Sequence, residues 1–168
     1  FSPFSRTTAL INLGKVYRDL GEYERAESYL KEGIESAKNA GELARVPVAE
    51  CVLGTVERFR SNIEQAERYH QQCLEGALKF ENLTLRVDAL LELAEDYRAA
   101  DQYGAAVRSA KEASQILSVN TDVDSELVLH ARAAIRTALA YVLLEDHVAA
   151  AGFLDEARPY LNLSLIHI

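Results

Sequence analysis

Leu10-Ile11-Asn12-Leu13-Gly14-Lys15-Val16-Tyr17, with Gly21, Tyr23, Ala26 and Leu30 after it, is the stretch on which the fold turns. Its apolar and small residues recur at helical spacing on both sides of Gly21, which reads as two helices joined by a tight turn. The same pattern returns along the chain. The alanine of the second helix recurs as Ala26, Ala66, Ala106 and Ala150, at steps of 40, 40 and 44 residues. The small residue of the first helix keeps step as Gly14, Gly54, Ala94 and Ala138. Leu13, Leu53, Leu93 and Thr137 stand before it, and Tyr17, Glu57, Tyr97 and Tyr141 follow three residues later. Tyr23, Ile63, Tyr103 and His147 open the second helices. Close packing explains the pattern, because two helices approach closely only where side chains are small. Glycine inside a helix costs about 0.5–1 kcal/mol relative to alanine. Its use twice at one repeat position marks a steric need, and Gly14 is expected to face Ala26 as Gly54 faces Ala66.

Expected hairpins lie at about 5–39, 43–80, 83–118 and 123–161. Gly21 and Gly41 fall where left-handed geometry ends a helix. Asn62, Asp101 and Asp146 are placed to cap the helices that follow them. Pro47 should make the third helix start late or bend. Asn120, Thr121 and Asp122 form the longest polar link.

These residues resemble the tetratricopeptide signature W-x-x-L-G-x-x-Y followed by A-x-x-x-F. Leu10 replaces the tryptophan and Leu30 the phenylalanine. The usual period is 34 residues; here it is 40 to 44, which adds nearly a turn to each helix at 3.6 residues per turn. The long repeat resembles those of kinesin light chains and of sensor regions in bacterial regulators. The fold this implies is all-α: an α-α superhelix, a right-handed solenoid of about four hairpins forming one domain over residues 1–163.

Composition is consistent with this. Of the 168 residues, 49% are apolar and 26% charged, with only three prolines and eight glycines. No apolar run approaches the roughly 20 residues that span a bilayer. The formal net charge of -8 opposes general binding to nucleic-acid backbones and anionic membranes. A soluble, cytoplasmic protein is expected. Cys51 and Cys73 allow at most one disulfide and no zinc site, and so low a count fits a reducing compartment. The chain starts at Phe1, and residues 164–168 fit no repeat position. They read as a non-native or disordered tail, and the whole as a fragment of a longer protein.

Nothing in the sequence assembles catalytic chemistry. HExxH, GxSxG, phosphate-loop and GxGxxG patterns are missing. His70 and Cys73 share a helical face, but nothing nearby completes a metal site, and both occupy packing positions of the repeat. The expectation is no enzyme and no cofactor.

The resemblance implies that first helices line a concave groove that binds a protein or peptide segment. Carried over by position, the lining is Ile11, Lys15 and Arg18 in the first repeat, and Val52, Thr55, Arg58 and Phe59 in the second. The third offers Leu91, Glu92, Glu95 and Arg98, and the fourth Arg132, Ile135 and Arg136. Arg18, Arg58 and Arg98 share one repeat position. They form either a ladder suited to carboxylate or phosphate or a solvated face paired with Asp19, Glu57 or Glu95. Some tetratricopeptide domains clamp a C-terminal carboxylate with Lys, Asn and Arg; here Ile11, Lys15, Val52, Asp88 and Glu92 stand at those positions, and only Lys15 fits. The expected function is a protein- or peptide-binding scaffold, the sensory or interaction part of a larger regulator. The alternative is a small-ligand or anion sensor using the arginine ladder. Residues 123–144 are apolar nearly all round and the final helix lacks a polar face, so a further hairpin or domain is expected to cover the C-terminal end, which in isolation should self-associate or fray.

Overall fold

The structure, a computed structural model, describes residues 3–119 and 123–164; for 3–5, 119, 123–131, 156–157 and 159–164 only the backbone is described. The described residues form eight α-helices and no strand: α1 (Pro3–Asp19), α2 (Tyr23–Asn39), α3 (Val46–Phe59), α4 (Ile63–Lys79), α5 (Leu83–Ala99), α6 (Tyr103–Val119), α7 (Val123–Leu143) and α8 (His147–Ser164). They fall into two compact units, Phe1–Ala89 and Leu90–Ile168, with the boundary inside α5. The expected link at Asn120, Thr121 and Asp122 lies outside the described residues. So do the last four residues of the expected tail; Ser164 closes α8.

Each first helix ends the same way. The amide of Glu22 donates to the carbonyl of Tyr17 at 2.9 Å, and Asn62 to Glu57, Gln102 to Tyr97 and Asp146 to Tyr141 do likewise. This closure needs a left-handed residue just before the donor. Gly21 fills that place at φ 76°, but Ser61, Asp101 and Glu145 do so at 65°, 58° and 60°. Pro47 delays α3 as expected: a short 3-10 turn, Leu43–Arg45, precedes it. Of the three expected caps, Asp146 acts, its Oδ1 accepting the Ala149 amide. Asn62 instead donates its side-chain amide to Glu57. Asp101 takes the left-handed position and accepts the Tyr103 hydroxyl. An unanticipated cap is Asn82, whose Oδ1 accepts the Leu85 amide at 3.0 Å.

Within the hairpins, the glycines serve the second helix one turn beyond the expected contact. A Cβ on Gly14 would lie 2.5 Å from Leu30, and one on Gly54 2.5 Å from the His70 ring. Leu30 and His70 therefore fill the gaps, while Ala26 and Ala66 are fully buried beside them. The aromatic contact also repeats: Tyr17 stacks on Tyr29 in the first unit, and Tyr141 on Phe153 in the second, with centroids 5.2 and 5.6 Å apart.

Hairpins then stack through a stripe on the first helix. On α3 the stripe is Ala49, Leu53 and Val56, all buried and clustered with Ala26 and Leu30 of α2. On α7 the matching residues are Ala133, Thr137 and Ala140. Ala140 packs with Ala106 and Val107 of α6. Thr137 tolerates full burial because its hydroxyl donates to the Ala133 carbonyl at 2.8 Å.

Candidate partner-binding face

In the first unit, the proposed lining residues divide by burial. Ile11 and Val52 are 3% and 5% exposed and belong to the core. Lys15, Thr55 and Arg58 are half-buried, and Phe59 is 54% exposed. Phe59 keeps one face against Tyr23, with ring centroids 5.9 Å apart, so it is held in place while offering its other side. Arg18 lies half-buried, with Asp19 at 2.7 Å. The Thr55 hydroxyl turns inward, donating to the Cys51 carbonyl at 3.2 Å.

In the second unit the lining is mutually satisfied. Leu91 is buried, and its carbonyl accepts a 2.6 Å hydrogen bond from Arg136. Arg132 and Arg136 approach Glu92 at 3.2 and 3.5 Å, and Arg136 also lies 3.8 Å from Glu95. Arg98 takes the other side of Glu95 at 2.7 Å. Ile135 is half-buried on the same helix. Glu92 and Glu95 of α5 are therefore paired with Arg132 and Arg136 of α7 and Arg98 of α5 itself. Of the three ladder arginines, Arg18 and Arg98 pair with the neighbours Asp19 and Glu95. Glu57 is drawn elsewhere.

Its partners form a network that the repeat template did not reveal. Arg60 reaches Glu27 at 2.6 Å, Glu57 at 3.1 Å and Glu24 at 3.3 Å, joining α3 to α2. Asn62 completes the shell of the buried Glu57 at 2.8 Å. Lys31 and then Arg60 hold the Glu27 carboxyl below its ordinary range through hydrogen bonds. Glu27 in turn raises Arg60. The clue in the sequence was the register, which sets Glu24 and Glu27 opposite Arg60.

His70 and Cys73 are both fully buried. His70 Nε2 lies 3.1 Å from the Cys51 carbonyl and donates to it, so that nitrogen carries a proton rather than a metal. Cys73 is bonded to Cys51, stapling α3 to α4 across 22 residues. With its sulfurs joined, the pair gives no support to the reducing compartment inferred from the cysteine count. Among the described residues, no three His, Cys, Asp or Glu side chains gather as they would around a metal. No described helix is long and apolar enough to cross a membrane.

Residues 6–40 match the tetratricopeptide repeat family. No curated protein matches the chain by sequence. Several solved structures resemble it. Aspartyl phosphate phosphatase F from Bacillus subtilis superposes with a TM-score of 0.87 at 13% identity, over 98% of this chain and 42% of its own. The tetratricopeptide-like repeats of a putative kinesin light chain from Podosopora anserina give 0.70 at 18% identity, over 95% and 77%. A signal-transduction ATPase from Pyrococcus horikoshii, with a tetratricopeptide repeat sensor, gives 0.74 at 20% identity, over 99% and 26%. The chain thus spans less than half of two of these three proteins. At such identities the likeness is one of fold. Residues 6–40 are a tetratricopeptide repeat, and the described chain is built from helical hairpins of the tetratricopeptide-like fold.

Proposed function

We propose that the chain is a protein-binding scaffold, and that α1 and α3 of the first unit hold a partner segment carrying acidic and apolar residues. The observation that carries this reading is Phe59, a large apolar side chain 54% exposed yet braced by Tyr23, on a pair of first helices that also carry Lys15, Arg18 and Arg58. An exposed, braced aromatic ring can supply much of a partner's affinity, and cations carried by the same helices can steer its approach. The second unit contributes less, since Glu92 and Glu95 already pair with Arg132, Arg136 and Arg98. The same local pairing weakens the anion-sensor alternative. A sensory or interaction role within a larger regulator draws support from the fold match to the Pyrococcus ATPase, a protein with a tetratricopeptide repeat sensor; the cytoplasm is the compartment expected from the sequence. The buried disulfide argues against that compartment.

A peptide array of mixed acidic and apolar sequences tests the reading. Phe59→Ala should weaken the best binders at least tenfold, and Arg58→Glu should lower affinity and flatten its salt dependence. Unchanged binding in both variants would move the partner to another face.

A further inference from the structure

A seam of contacts closes the second hairpin. A Cβ on Gly76 would clash with Pro47, and one on Gly54 would lie 2.5 Å from the His70 ring. Between them, Cys51 is bonded to Cys73. The first hairpin closes at the same positions without a bond. Thr7 and Ser36 share a 3.0 Å hydroxyl hydrogen bond, a Cβ on Gly33 would lie 3.1 Å from Ile11, and Gly14 meets Leu30. At the positions of Cys51 and Cys73, the third hairpin has Leu91 and Ala113, both fully buried. The fourth has Ile135 and Ala157 there. These hairpins set a large residue against a small one, whereas the second divides the space between two cysteines. A free cysteine packs as a small hydrophobe, and two of them match isoleucine beside glycine in bulk. The seam can therefore close with the sulfurs joined or apart.

What the bond adds is firmness. Glu50, Glu57 and His70 stand where the first hairpin has Leu10, Tyr17 and Leu30, so the second gains less from apolar burial. His70 Nε2 and the Thr55 hydroxyl both donate to the Cys51 carbonyl, at 3.1 and 3.2 Å. At Cys51, α3 is thus held on α4 by the sulfur bond and by His70. Phe59 lies about two turns further along the same helix. Cys51 is the more accessible of the pair, 9% exposed against 0% for Cys73.

We infer that Cys51–Cys73 is a reversible disulfide–dithiol pair that sets how firmly α3 is held, and through it how rigidly Phe59 is presented; that second step rests on the binding face proposed above. A thiolate of a dithiol reductant attacks the Cys51 sulfur and forms a mixed disulfide. The Cys51–Cys73 bond breaks, and Cys73 leaves as a thiolate that takes a proton. The reductant's second thiol then displaces Cys51 as a thiol, and the reductant departs as a disulfide. Two electrons and two protons have passed to the protein, and a small-molecule disulfide reverses the exchange.

The test uses the 168-residue chain without denaturant. Dithiothreitol should reduce the pair in the folded chain, as followed by thiol trapping. The reduced chain should keep its helical circular dichroism, and glutathione disulfide should restore the bond. Amides of α3 and α4 should exchange roughly tenfold or more faster in the reduced form, with those of α7 and α8 unchanged. Cys51→Ile with Cys73→Gly installs the first hairpin's pair; it should fold, and dithiothreitol should leave its exchange unaltered. A bond that yields only in urea is a permanent staple and overturns the inference. So does a reduced chain that loses its helicity, a double variant that fails to fold, or exchange that is alike in both forms. Peptide binding tests the second step. The tightest array peptide should lose roughly threefold or more in affinity on reduction, because a looser anchor costs more to order. Equal affinity in both forms severs the bond from the face. An array with no binder overturns the face instead, and the exchange result still decides the pair.

Discussion

The α2–α3 and α6–α7 junctions are built on the same backbone positions and finished with different chemistry. Both bury a stripe of small or apolar side chains, Ala49, Leu53 and Val56 in one, Ala133, Thr137 and Ala140 in the other. Beyond the stripe, the first adds Arg60 with three glutamates. The second has Val107 packed on Ala140 and a polar contact from Lys111 to Tyr141. The difference teaches that the stripe sets the stacking, while the rim is free to vary between charge and hydrocarbon.

Attacking the stripe should therefore do the most damage, and equally in both places. Val56→Asp and Ala140→Asp each bury an unpaired charge and should cost about 3–5 kcal/mol in urea unfolding. Tolerance at either site would mean that the repeat register is misplaced there. Next in size is a device found only in the first unit. Reducing Cys51–Cys73, 22 residues apart, should lower that unit's stability by about 3 kcal/mol on the chain-entropy view. The second unit, without cysteines, should unfold unchanged, as followed by hydrogen exchange.

The rims should then separate the two junctions. Arg60→Ala leaves the buried Glu57 short of a partner and should cost about 1–3 kcal/mol. Lys111→Ala, at an exposed site, should cost less than about 0.5 kcal/mol. Equal costs would remove the distinction between the rims. Acid should sharpen it by a smaller margin. Glu27 is held below its ordinary 4.5, first by Lys31 and then by Arg60. Its contribution is present above that value and is lost as pH falls through the lower folded value. Glu50 has the opposite sign: burial raises its carboxyl, so its ionisation opposes folding and acid relieves that cost. A Glu27→Gln variant should flatten the acid limb of a pH–stability curve for the first unit, and Glu50→Gln should steepen it.

What the sequence revealed and what it hid follow from the same physics. Positions that recur because backbones must approach were legible: Gly14, Gly54, the alanines of the second helices, and Gly21 at its left-handed turn. Which side chain fills the glycine gap was not legible, because Leu30 and His70 differ so much in kind that no template joins them. Arg60 escaped the repeat template for a related reason: its repeat position holds Leu20, Arg60, Ala100 and Leu144, with no shared chemistry. The arginine ladder was legible as spacing, but spacing does not report that Asp19 and Glu95 lie within reach of Arg18 and Arg98. Of the candidate lining, Ile11, Val52 and Leu91 went to the core, since the inner flank of a first helix also carries the packing between hairpins.

The proposed binding face on the first helices has one direct test. Hydrogen exchange of the chain, free and saturated with the tightest array peptide, should show new protection at the C-terminal turns of α1 and α3, around Arg18 and Phe59, with α2 and α4 unchanged. Protection confined to α2 and α4 would contradict the account and put the partner on the opposite side of the hairpins.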